Sequence, residues 1–222
     1  MSYEQKTLKA LKKDDVEALK EIISENGKLL KDYQDKDGQT FVYIAAQDNC
    51  VKCLKLLIEE GCDVNQARTG IGLWRLYDGA TPLYIAAQEG QVEALKVLIE
   101  AGANVNQART TGGGTPVYVA AFKGQVEALK VLIEAGANVN QAETTQGVTP
   151  VFIAACNGHI EALKVLIEAK AEQLNQTNKK GEPPVFIAAQ EGQVEVLKVL
   201  IEAKADVNQG NKNGATPVYV AA

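Results

Sequence analysis

The chain has 222 residues, is 46% hydrophobic and carries 23 basic against 28 acidic side chains, a formal net charge of −5. That apolar fraction is enough for a packed core, but lysine is dispersed among glutamate, with no basic stripe of the kind a phosphate backbone requires, so nucleic acid is excluded as a partner. No apolar run approaches the ~18 residues of a membrane span, and the opening Met1-Ser2-Tyr3-Glu4-Gln5-Lys6 has no apolar signal core, which predicts a cytoplasmic protein without membrane association.

Residues 3–30 read as a pair of helices, with Leu8, Leu11, Val16, Leu19, Ile22 and Ile23 on the apolar side and seven lysines by Lys31. A polar end unit shields a stack of repeats, so residues 1–37 are predicted to be an amino-terminal capping helix pair. From residue 38 to 222 one phrase recurs. Its anchor stands at Thr40-Phe41, Thr81-Pro82, Thr115-Pro116, Thr149-Pro150, Pro183-Pro184 and Thr216-Pro217, at intervals of 41, 34, 34, 34 and 33 residues. A fixed period of this length marks stacked units that cannot bury their apolar faces alone.

The clearest unit begins at Thr81-Pro82, a good helix cap followed by the residue best tolerated at the first helical position. A short alanine-rich helix is predicted over 83–88 and is broken at Gly90. A second helix is predicted over 92–101, with Val92, Leu95, Leu98 and Ile99 on one face. Gly102 ends it in the left-handed conformation that glycine favours. Ala103-Asn104-Val105-Asn106 then runs extended into a loop. The stretches 90–108 and 124–142 are identical over 19 positions, the mark of internal duplication.

Gly-Ala-Thr-Pro-Leu-Tyr-Ile-Ala-Ala at 79–87, Gly90-Gln91, Leu98-Ile99 and Gly102-Ala103-Asn104-Val105-Asn106 carry a resemblance: the chain is similar to the ankyrin-repeat family. The resemblance implies an all-α, ankyrin-type solenoid of stacked helix-turn-helix repeats with inter-repeat hairpin loops. It would span residues 38–222 as about five full units and a truncated last one. It also implies a monomeric, non-catalytic protein–protein interaction module with no cofactor. Such a module would bind a partner protein or peptide through the concave face made of loop tips and first helices.

The departures from the family pattern are specific. Tyr43, Tyr84, Tyr118, Phe152, Phe186 and Tyr219 replace its histidine, so the hydrogen bonds of that imidazole are lost or remade by hydroxyls. Lys170 and Lys204 stand where Gly102 and Gly136 end earlier helices, and Pro183 replaces a capping threonine. A side chain in the left-handed conformation costs on the order of 1 kcal/mol, so the last two repeats are expected to be softer.

Residues with chemical potential have plain alternatives. Cys50-Val51-Lys52-Cys53 has redox or zinc spacing, and Cys50 opens a helix, where a thiol pKa can fall. Yet no second ligand pair completes a metal site, Cys62 alone does not, and Cys53 stands where other repeats have alanine. Packing is therefore expected. His159 follows Gly158 and reads as a structural helix opener, not a base. The glycines near 70–72 and 112–114 lie in loops, and no metal is expected.

Two features resist a purely structural reading. The loop before Thr81 is seven residues longer than its successor and carries Ile71, Leu73, Trp74, Leu76 and Tyr77. Either this finger folds back on the stack or it is a contact anchor. Phe122 occupies a position that is glutamine in other repeats, at the exposed end of a first helix. The predicted partner-binding residues are Leu73, Trp74, Leu76, Tyr77, Asp78, Gln88, Glu89, Phe122, Lys123, Gln146, Cys156 and Asn157. Val148 belongs to the same face, and Trp74, Tyr77 and Phe122 are expected to form an aromatic cluster. Two other roles fit the sequence. Because the chain stops at Ala221-Ala222 inside a first helix, it reads as a scaffold or targeting region of a longer protein. The Val-Asn pairs ending at Asn65, Asn106, Asn140 and Asn208 resemble the family's asparagine-hydroxylation sites.

Overall fold

The computed structural model describes residues 1–26, 30–31, 33–69, 78–169 and 174–222. Among them are thirteen helices and no strand. They fall into two compact units, Met1–Thr111 and Gly112–Ala222.

The first unit holds α1 (Tyr3–Lys12), α2 (Val16–Asn26), α3 (Phe41–Gln47), α4 (Val51–Glu59), α5 (Pro82–Glu89) and α6 (Val92–Glu100). Helices pair as α1 with α2, α3 with α4 and α5 with α6. First helices then stack as α1 on α3 on α5, and second helices as α2 on α4 on α6. The second unit repeats the plan with α7 (Pro116–Lys123), α8 (Val126–Glu134), α9 (Pro150–Cys156), α10 (Ile160–Glu168), α11 (Pro184–Gln190), α12 (Val194–Glu202) and α13 (Pro217–Ala221). There α7, α9, α11 and α13 form one row and α8, α10 and α12 the other.

First helices start where the repeated threonine accepts a backbone hydrogen bond three residues on. Thr81 Oγ1 takes Tyr84 N at 3.1 Å, Thr115 takes Tyr118 at 3.2 Å and Thr149 takes Phe152 at 3.2 Å. Proline follows at the first helical position, where its missing donor leaves nothing unpaired. At Thr40-Phe41 a phenylalanine takes that place, and its ring stacks on Tyr33 with centroids 3.8 Å apart. The first helices are sandwiched on both sides, so they carry small residues: Ala45, Ala46, Ala86, Ala87, Ala120, Ala121, Ala154 and Ala155 are all buried completely. The second helices follow a strict face. Ala94, Leu95 and Leu98 point inward, while Glu93 and Lys96 stay outside as an ion pair at 2.9 Å.

Replacing the family's histidine with tyrosine and phenylalanine keeps the position inside in four repeats, while Tyr118 is half-buried and Tyr219 is exposed. Tyr43, Tyr84, Phe152 and Phe186 are all buried. The amino-terminal pair has a device that the sequence analysis did not anticipate: Ser2 and Gln5 close a reciprocal capping box. In that pair Leu11, Leu19 and Ile22 are buried, whereas Leu8, Val16 and Ile23 are only half-buried.

Left-handed residues end the second helices at Gly61, Gly102 and Gly136, and Lys204 does the same at φ 65°. Lys170, expected to act likewise, lies outside the described residues. Pro183 caps α11 without any side-chain hydrogen bond. α13 has five residues, and its Val218 and Tyr219 are 73% and 75% exposed. Lys204→Gly should relieve about 1 kcal/mol of backbone strain, seen as slower amide exchange across α12. In the unaltered chain, exchange should be fastest in α11 to α13, since the end of a repeat stack opens independently. Slowest exchange over residues 185–222 would contradict this second expectation, and unchanged exchange across α12 in Lys204→Gly the first.

Candidate protein-binding surface

Hairpin loops join each second helix to the next first helix, and their tips are tied to one another by main-chain hydrogen bonds. In the first unit Thr69 N donates to Gly38 O and Thr111 N to Asp78 O. In the second, Thr144 N donates to Gly112 O at 2.9 Å, Lys179 N to Gln146 O at 2.8 Å and Lys212 N to Lys180 O at 3.4 Å. Three of these hairpins are closed from within by the residue that opens them. Asp35 Oδ1 accepts from Asp37 N and Gln39 N, Asn178 Oδ1 from Lys180 N and Glu182 N, and Asn211 Oδ1 from Asn213 N and Ala215 N.

Glu143 fills the same place with a longer side chain and is 8% exposed. Its carboxylate accepts from Thr145 N at 2.6 Å, Gln146 N at 2.5 Å and Val148 N at 3.2 Å. Burial alone would raise its pKa, but these backbone donors outweigh burial and hold the pKa below the ordinary value.

A second set of contacts locks the helix turns. The residue before each second helix is left-handed, and it is Asp14 or Asn49 in the first unit but glycine elsewhere, as at Gly90, Gly124, Gly158 and Gly192. Asp14 reaches into the next repeat, with Oδ1 accepting from Cys53 N at 2.9 Å and Oδ2 from Lys52 N at 3.3 Å. Asn49 Oδ1 likewise accepts from Ala94 N at 3.1 Å. α4 and α6 have no side-chain cap of their own, so each is capped by its predecessor. The return contact comes from the residue opening the second helix: Gln91 Nε2 donates to Gln47 O at 3.1 Å. In the second unit His159 Nε2 lies 3.0 Å from Phe122 O, and Asn157 Nδ2 donates to the same carbonyl at 3.1 Å. His159 is thus a helix opener, as the sequence reading holds. Aligning the repeats shows Asp14 and Asn49 in a glycine column, a signal the sequence reading passed over.

The predicted contact residues separate into groups. Leu73, Trp74, Leu76 and Tyr77, the other residues of the 70–77 finger and the expected aromatic cluster all lie outside the described residues. In the first unit Asp78 is half-buried at a hairpin tip, and Gln88 Nε2 donates to exposed Glu89 at 2.8 Å. In the second, Phe122 is 41% exposed at the end of α7, with the Lys123 ammonium 5.5 Å from its ring centroid. Asn157 is beside it through the shared carbonyl. Gln146 is exposed on a tip, at the opposite end of the first helices. Cys156 is half-buried against Val148, Phe152 and Ile187. Val148 is not on the open face as expected; it is 7% exposed and belongs to that apolar cluster, because it ends the hairpin directly over the helix row.

Cys50, Cys53 and Cys62 are all buried free thiols. Burial pushes Cys50 up to about 11, with Asp48 adding to it, Cys53 up to about 12, with Asp14 adding to it, and Cys62 up to about 11 against the opposing Lys31 charge. These are packing residues, and the same burial disfavours a reactive thiolate at the start of α4. Among the described residues, no three His, Cys, Asp or Glu side chains gather as a metal site. Asn65 Oδ1 accepts from Asn104 N at 2.8 Å, while Asn140 Oδ1 is buried without a hydrogen-bond partner.

A family model for ankyrin repeats in sets of three copies matches residues 8–109, 107–178 and 151–222. The chain belongs to the ankyrin-repeat family. The crystal structure of the human ASB11 ankyrin repeat domain superposes with a TM-score of 0.81 at 24% identity, over 97% of this chain and 91% of that one. At that identity the likeness speaks for the ankyrin fold alone. A comparison with curated proteins finds no match. The resemblance read from Thr-Pro-Leu-Tyr-Ile-Ala-Ala therefore identified the family correctly. Ankyrin-repeat domains are in general protein-interaction modules and typically non-catalytic.

Two measurements test this chemistry in the ankyrin stack. Glu143→Ala should cost about 2 kcal/mol near neutrality, because three backbone N–H groups lose a charged acceptor that is itself buried. Since the folded pKa is depressed, this contribution is complete above the unfolded value of about 4.3. It declines as pH falls through the folded value, so unfolding curves of the two proteins should converge in acid. In thiol labelling at pH 8, Cys156 should react first, and Cys50, Cys53 and Cys62 should react only in denaturant. Rapid native labelling of Cys53 would contradict its burial.

Proposed function

We propose that this ankyrin-repeat chain is a monomeric, non-catalytic binding module of the cytoplasm that takes a protein or peptide on the side lined by first-helix ends and hairpin tips. The observation that carries the reading is Phe122. A large aromatic side chain is 41% exposed at the end of α7, a helix whose Val117, Val119, Ala120 and Ala121 are packed away. Its backbone is pinned from the next repeat by Asn157 and His159. Exposed, rigidly held aromatics are the residues on which interfaces concentrate binding energy. Lys123 and Asn157 flank it with donors, and four unpaired thiols suit a reducing compartment.

Binders selected from a random peptide display library on the 222-residue chain test the reading. Phe122→Ala should weaken them by about 1–3 kcal/mol while leaving the melting temperature unchanged. Binders that hold both proteins equally would remove Phe122 from the site.

A further inference from the structure

The hairpin tips of the second unit carry lysines that form no ion pair among the described residues. Lys179 and Lys212 occupy equivalent positions in successive repeats, each one residue after the asparagine that closes its hairpin. Both side chains lie back on the preceding tip in the same way. Lys179 Nζ donates to Thr144 O at 2.7 Å, and Lys212 Nζ donates to Lys179 O at 2.6 Å. Lys180 is exposed beside them. The lysines of the second helices, Lys130, Lys164 and Lys198, are each paired with a glutamate. Among the described residues, the three tip lysines have no such partner. The nearby carboxylates are already engaged: Glu143 by three backbone N–H groups, and Glu182 by Asn178 Nδ2 at 2.8 Å. A protein of net charge −5 thus presents a local positive edge.

The geometry of that edge is periodic. Repeat-related ammoniums stand one helix layer apart, about 10 Å. Each ammonium has three donors, one of which is already committed to a carbonyl. A polyproline-II strand has three residues per turn and rises about 3.1 Å per residue, so every third side chain returns to one face after about 9.3 Å. Its backbone carbonyls make no internal hydrogen bonds and can accept from the remaining lysine donors. An α-helix repeats its face at a similar interval every seventh residue, but its carbonyls are used internally. Nucleic acid is disfavoured by the overall negative charge and by the absence of arginine and aromatic side chains from these tips.

We propose that Lys179, Lys180 and Lys212 form a docking edge for an acidic polyproline-II peptide with a carboxylate at every third position. This rests on the reading of the chain as a peptide-binding module and names the chemistry of its ligand.

The test uses fluorescein-labelled peptides and the 222-residue chain in anisotropy titrations. The probes are three repeats of Glu-Pro-Pro, the same composition with its glutamates adjacent, a helical peptide with glutamates seven apart, and a single-stranded oligothymidine. The Glu-Pro-Pro peptide should bind at least about threefold tighter than the adjacent-glutamate control and should weaken as salt rises. K179Q/K212Q should weaken it by about fivefold, and K180Q, whose ammonium has no hydrogen bond or ion pair among the described residues, should weaken it without changing the circular dichroism. K198Q, on the second-helix face, should have no effect. Equal binding of both Glu-Pro-Pro compositions, or indifference to K179Q/K212Q and K180Q, would overturn the proposal. So would lysine-dependent binding that is tighter for the helical peptide or the oligothymidine. Display-selected binders that need Phe122 but none of these lysines would sink the docking edge and leave the binding-module reading intact.

Discussion

Each repeat of this chain leaves its own helices unfinished, and the next repeat supplies what is missing. A helix of seven to nine residues is too short to persist in water. Its apolar face is covered by a partner helix and by neighbours in the same row. Its open N–H groups are met from outside the repeat as well, by Asp14 for α4 and by Asn49 for α6. The hairpin tips are joined by main-chain hydrogen bonds in the same repeat-to-repeat sense. Stability is therefore a property of the contacts between repeats more than of any repeat alone.

Much of this was legible because it is periodic. Threonine before proline marked the helix starts, and the spacing of Leu95 and Leu98 marked the buried face. Lys204 was recognised as a left-handed position because it stands in a glycine column, and its φ of 65° agrees. What escaped was the information carried by single departures. Glu143 drew no notice in the sequence, yet three backbone donors make it a buried hairpin support. Val148 was placed on the open face, but residues that end a hairpin meet the helix row, and it is packed there. Asp14 and Asn49 were passed over. Their role depends on which N–H groups the next repeat brings into reach, and a single repeat read by itself does not contain that.

The surface that remains open is divided by chemistry. Near the ends of the first helices of the second unit, Phe122 offers a flat apolar contact with Lys123 and Asn157 beside it. At the far end of the same helices the tips offer lysines. An apolar anchor at the end of α7 and a charged rail at the tips before α11 and α13 would fix the direction in which a segment bound to both runs, since reversing it would exchange acidic and apolar groups.

The glycine joints of the second unit have a consequence for the growth of such a chain. A Cβ at Gly124 would lie 2.8 Å from the His159 ring, and one at Gly158 would lie 2.6 Å from the Gln193 amide. These joints accept only the smallest residue and ask nothing of its side chain, so any unit with the same phrase can follow any other. The joints made by Asp14 and Asn49 instead address a particular neighbour through a hydrogen bond. A passage copied behind a glycine joint lengthens the array without new chemistry, whereas a passage moved behind Asn49 must offer an N–H at the place of Ala94. The chain thus combines an interchangeable segment with one whose order is written into its turns.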